Sequence, residues 1–163
     1  MFFPFIQMST SLPGRKVESH HPTTDVYAQN NCFVCRKTGP FGLRLEFRLD
    51  EHTKQAVCEF QLSDEWEGPP GFTHGGIVAT ILDEAMAFVN KLHGVIAPTR
   101  KMEVEYLKAV RPRERVRVSA RNKSEEGRKL VHTAEITNSA GEVLARSEAL
   151  FIKVDPSLVF GDK

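Results

Sequence analysis

The stretch HGGIVATILDEAMAFVN, residues 74–90, puts a histidine, two glycines and two carboxylates into one apolar run. Gly75 and Gly76 would leave the first amides of a helix bare of side chains. Those amides have no partner inside a helix and carry the positive end of its dipole. They suit an anion, or a carbonyl oxygen that becomes one during reaction. Equally, glycines at this place let a helix pack close to a strand. Asp83 follows two turns later on a stripe of small residues, Gly76, Ala79 and Ala87, with Asn90 beyond. An ionised carboxylate bordering a groove can act as general base or nucleophile. One inside a core must be paired. On the helix alone both readings of Asp83 stand. Glu84 shares its stripe with Thr80 and Lys91 and reads as a structural or solvent-facing group before a catalytic one. His74 reads as the cap of the helix start, with direct proton transfer as the second reading.

A helix from residue 74 to near His93-Gly94 would carry these groups, with glycine suited to its C-terminal cap. Ile77, Ile81, Ala85, Phe88 and Leu92 form one apolar stripe, and Val78, Leu82, Met86 and Val89 the next. A helix apolar nearly all round is normally buried. The flanking segments alternate with period two, the sign of half-buried strands. Leu43, Leu45, Phe47 and Leu49 share a face; Ala56, Cys58, Phe60 and Leu62 do so after the polar turn DEHTK. Beyond the helix come KMEVEYLKAV, with Met102, Val104 and Tyr106 on one face, then RVRVSARN, KLVHTAEIT and EVLARSEALFIKV. Short turns between consecutive strands predict antiparallel neighbours. The order β-β-α-β-β-β-β argues against a doubly wound parallel sheet. One α+β domain follows, with about five to six strands wrapped around one long helix.

The 163 residues are 40% hydrophobic and 26% charged, with a formal net charge of +1, as expected of one globular domain. No global field points to nucleic acid or an anionic membrane, and neither is an expected partner. Residues 1–28 read as an extended arm without a helix-turn-helix pattern, 29–156 as the folded domain and 157–163 as a tail. The opening MFFPFIQMST lacks a basic n-region and is interrupted by Pro4, so it does not read as a signal peptide. Three cysteines are too few for a secreted disulfide scaffold, and a cytoplasmic location is expected.

Cys32 and Cys35 have metal-ligand spacing, but a four-ligand zinc site needs a second pair, for which His20 and His21 are the candidates. No metal and no cofactor are expected. Cys58 falls on an inward strand face and reads as a small core residue. The sequence has no G-x-S-x-G elbow, phosphate loop or dinucleotide fingerprint, which argues against serine hydrolase and nucleotide-driven chemistry.

HGG with an acid nine positions after its histidine resembles the PaaI-like group of hotdog-fold acyl-CoA thioesterases. GPPGFTHGG and ATILDEA resemble especially the branch containing thioesterase superfamily member 4. NCFVCRKTGPFGLRLEF resembles a segment near the first strand of uncharacterised members. The resemblance covers roughly residues 30–154. It implies a curved antiparallel sheet around a central helix, paired into a homodimer or a dimer of dimers, with active sites at the subunit interface. It implies that Asp83 is the catalytic carboxylate, as nucleophile or general base. The Gly75 and Gly76 amides would polarise the thioester carbonyl from the subunit opposite Asp83. Thr99, sixteen residues beyond the aspartate, falls where that branch has a threonine assisting the attacking group. Several relatives place asparagine or glutamine six residues before the histidine. This chain has Gly68 there, which leaves that contact to backbone groups, to His74 or to nothing.

Phe72, Arg100, Lys101 and Arg111 are candidate substrate contacts, the basic ones facing the phosphates of coenzyme A. For each, a solvated strand edge is the competing reading. The activity implied is hydrolysis of an acyl-CoA to free acid and CoA. A non-enzymatic acyl-CoA sensor is the alternative, and a hotdog hydratase would place its histidine in a different motif.

Overall fold

A computed structural model describes residues 31–37 and 39–157. The arm expected over residues 1–28, with His20 and His21, and the tail past residue 157 lie outside the described residues.

Six strands form one antiparallel sheet: β1 (Arg48–Asp50), β2 (Gln55–Phe60), β3 (Thr99–Tyr106), β4 (Val116–Glu126), β5 (Lys129–Asn138) and β6 (Val143–Ile152). Their order is β1-β2-β4-β5-β6-β3. The long helix α1 (Gly75–Leu92) packs against all six strands. This is the hotdog architecture, α+β, that the pattern and the resemblance predict. Val78, Ile81, Leu82, Ala85, Met86 and Val89 of α1 are buried against Val116, Val118, Leu130, Ile136 and Phe151 of the sheet. The helix ends at His93, and Gly94 adopts φ +62°. The Gly94 amide bonds the Lys91 carbonyl, and the Val95 amide the Asn90 carbonyl. This double closure needs the left-handed conformation that glycine takes without strain.

Three expectations are corrected. Consecutive strands are not neighbours throughout, because β3 pairs with β6 while β4 pairs with β2. The chain crosses the sheet between β3 and β4, which leaves β3 at one edge. The alternating run from Leu43 to Leu49 becomes a strand only at Arg48–Asp50. Arg44 sits at φ 55°, and the Leu43 and Leu45 amides bond the carbonyls of Phe33 and Val34 instead of a sheet partner. The apolar face survives, with Leu45 buried and Leu43, Phe47 and Leu49 against the core. Finally, β3 stops at Tyr106. The strand is expected to run on to Val110, but the Leu107 and Lys108 amides turn to the Leu144 carbonyl, and Tyr106 is 53% exposed.

Candidate active site

The loop before α1 is built tightly. The Gly68 amide bonds the Phe72 carbonyl, the Gly71 amide the Glu67 carboxylate, and Gly71 adopts φ +80°. The Thr73 amide bonds the Val110 carbonyl and the His74 amide the Trp66 carbonyl. These bonds hold both ends of the loop and aim His74 at the helix start. His74 is the N-cap, and its Nδ1 accepts from the Gly76 amide at 2.9 Å. The bond uses Nδ1 as the acceptor, which leaves Nε2 as the ring's donor. A side chain at position 68 would crowd His74, because a Cβ there would lie 3.3 Å from its Cα and Cδ2.

Of the two glycine amides named from the sequence, Gly76 is engaged by the cap. The Gly75 amide precedes the first intrahelical bonds, which run from Ile77 and Val78 to the His74 carbonyl. Tyr106 covers this end of the helix: its hydroxyl donates to the Gly75 carbonyl at 3.0 Å. A cavity of about 280 Å³ opens beside it, lined by Phe72, Gly75, Val78, Tyr106, Leu107 and Val110 among others. Phe72 is exposed, and the Arg111 guanidinium lies 5.4 Å from its ring. Sequence reasoning placed Tyr106 on one strand face with Met102 and Val104 and gave it no role at the site. The signal was its phenol at a strand end, an apolar ring with a polar tip.

Asp83 is half-buried on α1, and Thr99 is exposed at the first position of β3. The Thr99 hydroxyl donates to Asp83 Oδ1 at 2.7 Å. This bond gives the half-buried carboxylate a neutral hydrogen-bond partner in an otherwise apolar helix. One oxygen is fixed by a neutral donor, and the second keeps its lone pairs. Glu84, one residue on, turns elsewhere and accepts from the Cys32 thiol at 3.5 Å.

The residues named from the sequence fall into two groups. His74, Gly75, Gly76, Gly68, Phe72 and Arg111 gather at the helix start. Asp83 and Thr99 stand further along, with Arg100 and Lys101 next to Thr99 on β3; Lys101 pairs with Glu103 at 2.5 Å. Seven to eight residues separate Asp83 from Gly75 and Gly76 on the helix, or roughly 10–12 Å of axial rise. One carbonyl group cannot touch both ends. A larger cavity, of about 570 Å³, lies away from these groups and is lined mainly by polar and charged residues such as Glu103, Arg121, Glu135 and Arg146.

Residues 70–145 match the family model described as the thioesterase superfamily. The chain is 33% identical over 118 residues to the acyl-coenzyme A thioesterase THEM4 of Rattus norvegicus, covering 71% of this chain and 51% of that protein. It thus spans about half the length of the curated relatives it matches. Among solved structures, smu.793 of Streptococcus mutans bound to acetyl CoA superposes with a TM-score of 0.63 at 18% identity, over 68% of this chain and 88% of that one. A hypothetical thioesterase of Streptococcus pneumoniae superposes equally well, with a TM-score of 0.63 at 17% identity over 68% of this chain and 90% of that one. That protein has been solved with an aspartate changed to alanine and with a threonine, sixteen positions later, changed to alanine.

Proposed function

We propose that this chain, whose residues 70–145 match the thioesterase superfamily model, is a member of that superfamily and hydrolyses an acyl-CoA thioester to a free carboxylic acid and coenzyme A. The observation that carries this reading is the 2.7 Å hydrogen bond from Thr99 to Asp83. The same pair of residue types at the same separation drew substitutions in the S. pneumoniae protein, which supports the assignment. An aspartate so held can take a proton from water while hydroxide adds to the thioester carbon. It can also add directly to give a mixed anhydride that water then opens. In either course the carbonyl oxygen becomes an oxyanion, the C–S bond breaks, and the thiolate of coenzyme A leaves. The thiolate is a good leaving group, since a thiol has a pKa near 8.5. The reaction so written needs no metal and no cofactor.

The Gly75 amide, at the positive end of the helix dipole, supplies the donor for the oxyanion. Because Asp83 and Gly75 of one chain stand roughly 10–12 Å apart, the reactive centre takes Asp83 from one protomer and the helix start from another. The sheet supports such an assembly, with β3 at its edge and Phe72, Tyr106 and Leu107 exposed beside the helix start. Phe72 and Tyr106 bound the acyl or pantetheine arm. Arg111, Arg100 and Lys101 face the phosphates. His74 orients the helix start.

The test is thiol release from short, long and aryl acyl-CoAs by the wild type and by Asp83→Ala, with fold and assembly checked first. Turnover that collapses in a folded variant supports hydrolysis. Saturable acyl-CoA binding without turnover in the wild type would overturn it in favour of a sensor.

A further inference from the structure

The motif NCFVCRKTGPFGL takes no part in the chemistry above, yet the fold spends specific residues on it. Residues 33–35 form a turn closed by the Arg36 amide on the Cys32 carbonyl at 3.0 Å, and the Val34 amide donates to Cys32 Sγ at 3.4 Å. The Leu43 and Leu45 amides return to the Phe33 and Val34 carbonyls. Gly42, at φ +140°, passes so close that a Cβ would lie 2.5 Å from the Phe33 oxygen. The loop is thus bent into one shape, and both thiols meet the helix. Cys32 Sγ, Cys35 Sγ and a Glu84 carboxylate oxygen all lie within 4.8 Å of one another, each on a half-buried residue.

We propose that Cys32, Cys35 and Glu84 form a binding site for a zinc-class divalent metal ion, which staples residues 32–37 and 42–45 to α1. With Zn–S near 2.3 Å and Zn–O near 2.1 Å, a tetrahedral ion separates sulfur from oxygen by about 3.6 Å and sulfur from sulfur by about 3.8 Å. Cys32 Sγ and Glu84 Oε2 already stand 3.5 Å apart. The pair of thiols reaches its spacing by closing about 1 Å at most. The Val34 amide on Cys32 Sγ is the kind of outer hydrogen bond that orients a metal-bound sulfur. Lys91 stands beside the cluster, its ammonium 3.5 Å from the centre of the Phe88 ring. The Lys91 ammonium interacts with Cys35, Glu84 and Cys32. Two thiolates, one carboxylate, one divalent ion and one ammonium sum to neutrality. Soft thiolates select zinc over magnesium or calcium, and water completes the fourth position. The sequence suggested two cysteines but not the third ligand, because Glu84 lies 49 residues beyond Cys35 and only the packing of the loop on α1 joins them. The inference stands apart from the proposed hydrolysis.

The full chain, reduced and stripped with a chelator, is titrated with Co²⁺. The expected result is one ion per chain, with a thiolate-to-cobalt charge-transfer band, tetrahedral visible bands, and displacement of both by Zn²⁺. Cys32→Ser and Cys35→Ser are expected to lose the charge-transfer intensity. Glu84→Gln should keep it and weaken Co²⁺ binding on the order of 10–100-fold. Absence of the charge-transfer band in the reduced wild type overturns the site, whatever the variants do. So does a band that survives in both cysteine variants, or unchanged affinity in Glu84→Gln.

Discussion

Thr99 donates its hydroxyl to Asp83 Oδ1 across 2.7 Å, joining the first position of β3 to the third turn of α1. The bond fixes one carboxylate oxygen and leaves the other outside this contact. A carboxylate held by a neutral donor stays available as a base, whereas one locked by arginine would not.

Asp83→Asn keeps the shape and the Thr99 contact but removes the base and nucleophile. Turnover of the best acyl-CoA is expected to fall by about 10²–10⁴, with affinity for an uncleavable thioether analogue little changed. Steady-state kinetics beside calorimetric binding of the analogue would check both halves. Equal loss in both would place Asp83 in binding rather than chemistry.

Thr99→Ala removes a hydrogen bond to a charged group, worth about 1.5–3 kcal/mol. If the bond matters to the attack, kcat should drop roughly 10–100-fold and Thr99→Ser should recover most of it. A serine variant as slow as alanine would show that the methyl group, not the hydroxyl, was needed.

How much of this was readable from the chain differs by residue. The helix and its stripes were legible because a 3.6-residue period leaves its mark in local spacing, and Gly94 marked the stop. Partner choice among strands was not, since β3 carries the same alternation whether it lies beside β4 or β6. The Thr99 contact entered through a family resemblance and not through periodicity. Tyr106 drew no role because alternation names a side of a strand, not where the strand ends. The engagement of the Gly76 amide by His74 depends on a side-chain torsion that no pattern encodes.

Gly75 and Gly76 separate capping from catalysis. A Cβ at Gly76 would sit 3.0 Å from His74 Nδ1, so Gly76→Ala should push the imidazole off the helix and cost about 1 kcal/mol, as loss of a cap does. A Cβ at Gly75 meets the Tyr106 ring at an ordinary 3.6 Å. Gly75→Ala should therefore fold with near-normal stability but lose turnover by shielding the amide. Denaturation midpoints set against kcat would distinguish the two. Comparable loss of stability in both would contradict the assignment.

Assembly across protomers predicts complementation. Asp83→Ala and a folded but slow Gly75 variant are each expected to be nearly inactive alone. Refolded together, a mixed dimer regains one centre built from an intact Asp83 and an intact helix start. Up to about a quarter of wild-type activity should return if half the dimers are mixed and each holds one of two sites. No recovery, with mixing proven by mass spectrometry of tagged chains, would place both groups in one protomer's site.

The last prediction concerns His132, which is fully buried on β5. Asn90 fixes its protonation: the Asn90 amide nitrogen donates to the Ala97 carbonyl, so its Oδ1 is left to accept from His132 Nε2 at 2.9 Å. Asn122 Nδ2 stands 3.3 Å from the other ring nitrogen and donates to it. Both partners thus favour the neutral ring. Burial, and then the positive charge of His93, push the pKa down to about 4, against smaller upward effects from the Val131 backbone and Glu125. The unfolded chain binds this proton at the usual value near 6.5, so between 6.5 and 4 it holds more protons than the folded chain. Stability is then fully present above pH 6.5 and is lost as pH falls toward 4, by about 3 kcal/mol from this group. The carboxylates held below their usual range, Glu103, Glu125 and Glu142 among them, contribute only near and below their ordinary value of 4.5. The interval from 6.5 to 5 lies above those carboxylates, and comparison of the wild type with a His132 variant isolates the share of this ring. Urea unfolding across that interval should show a falling midpoint in the wild type and a flatter one in His132→Gln, whatever the variant's absolute stability. A slope unchanged by the substitution would assign the acid sensitivity to another group.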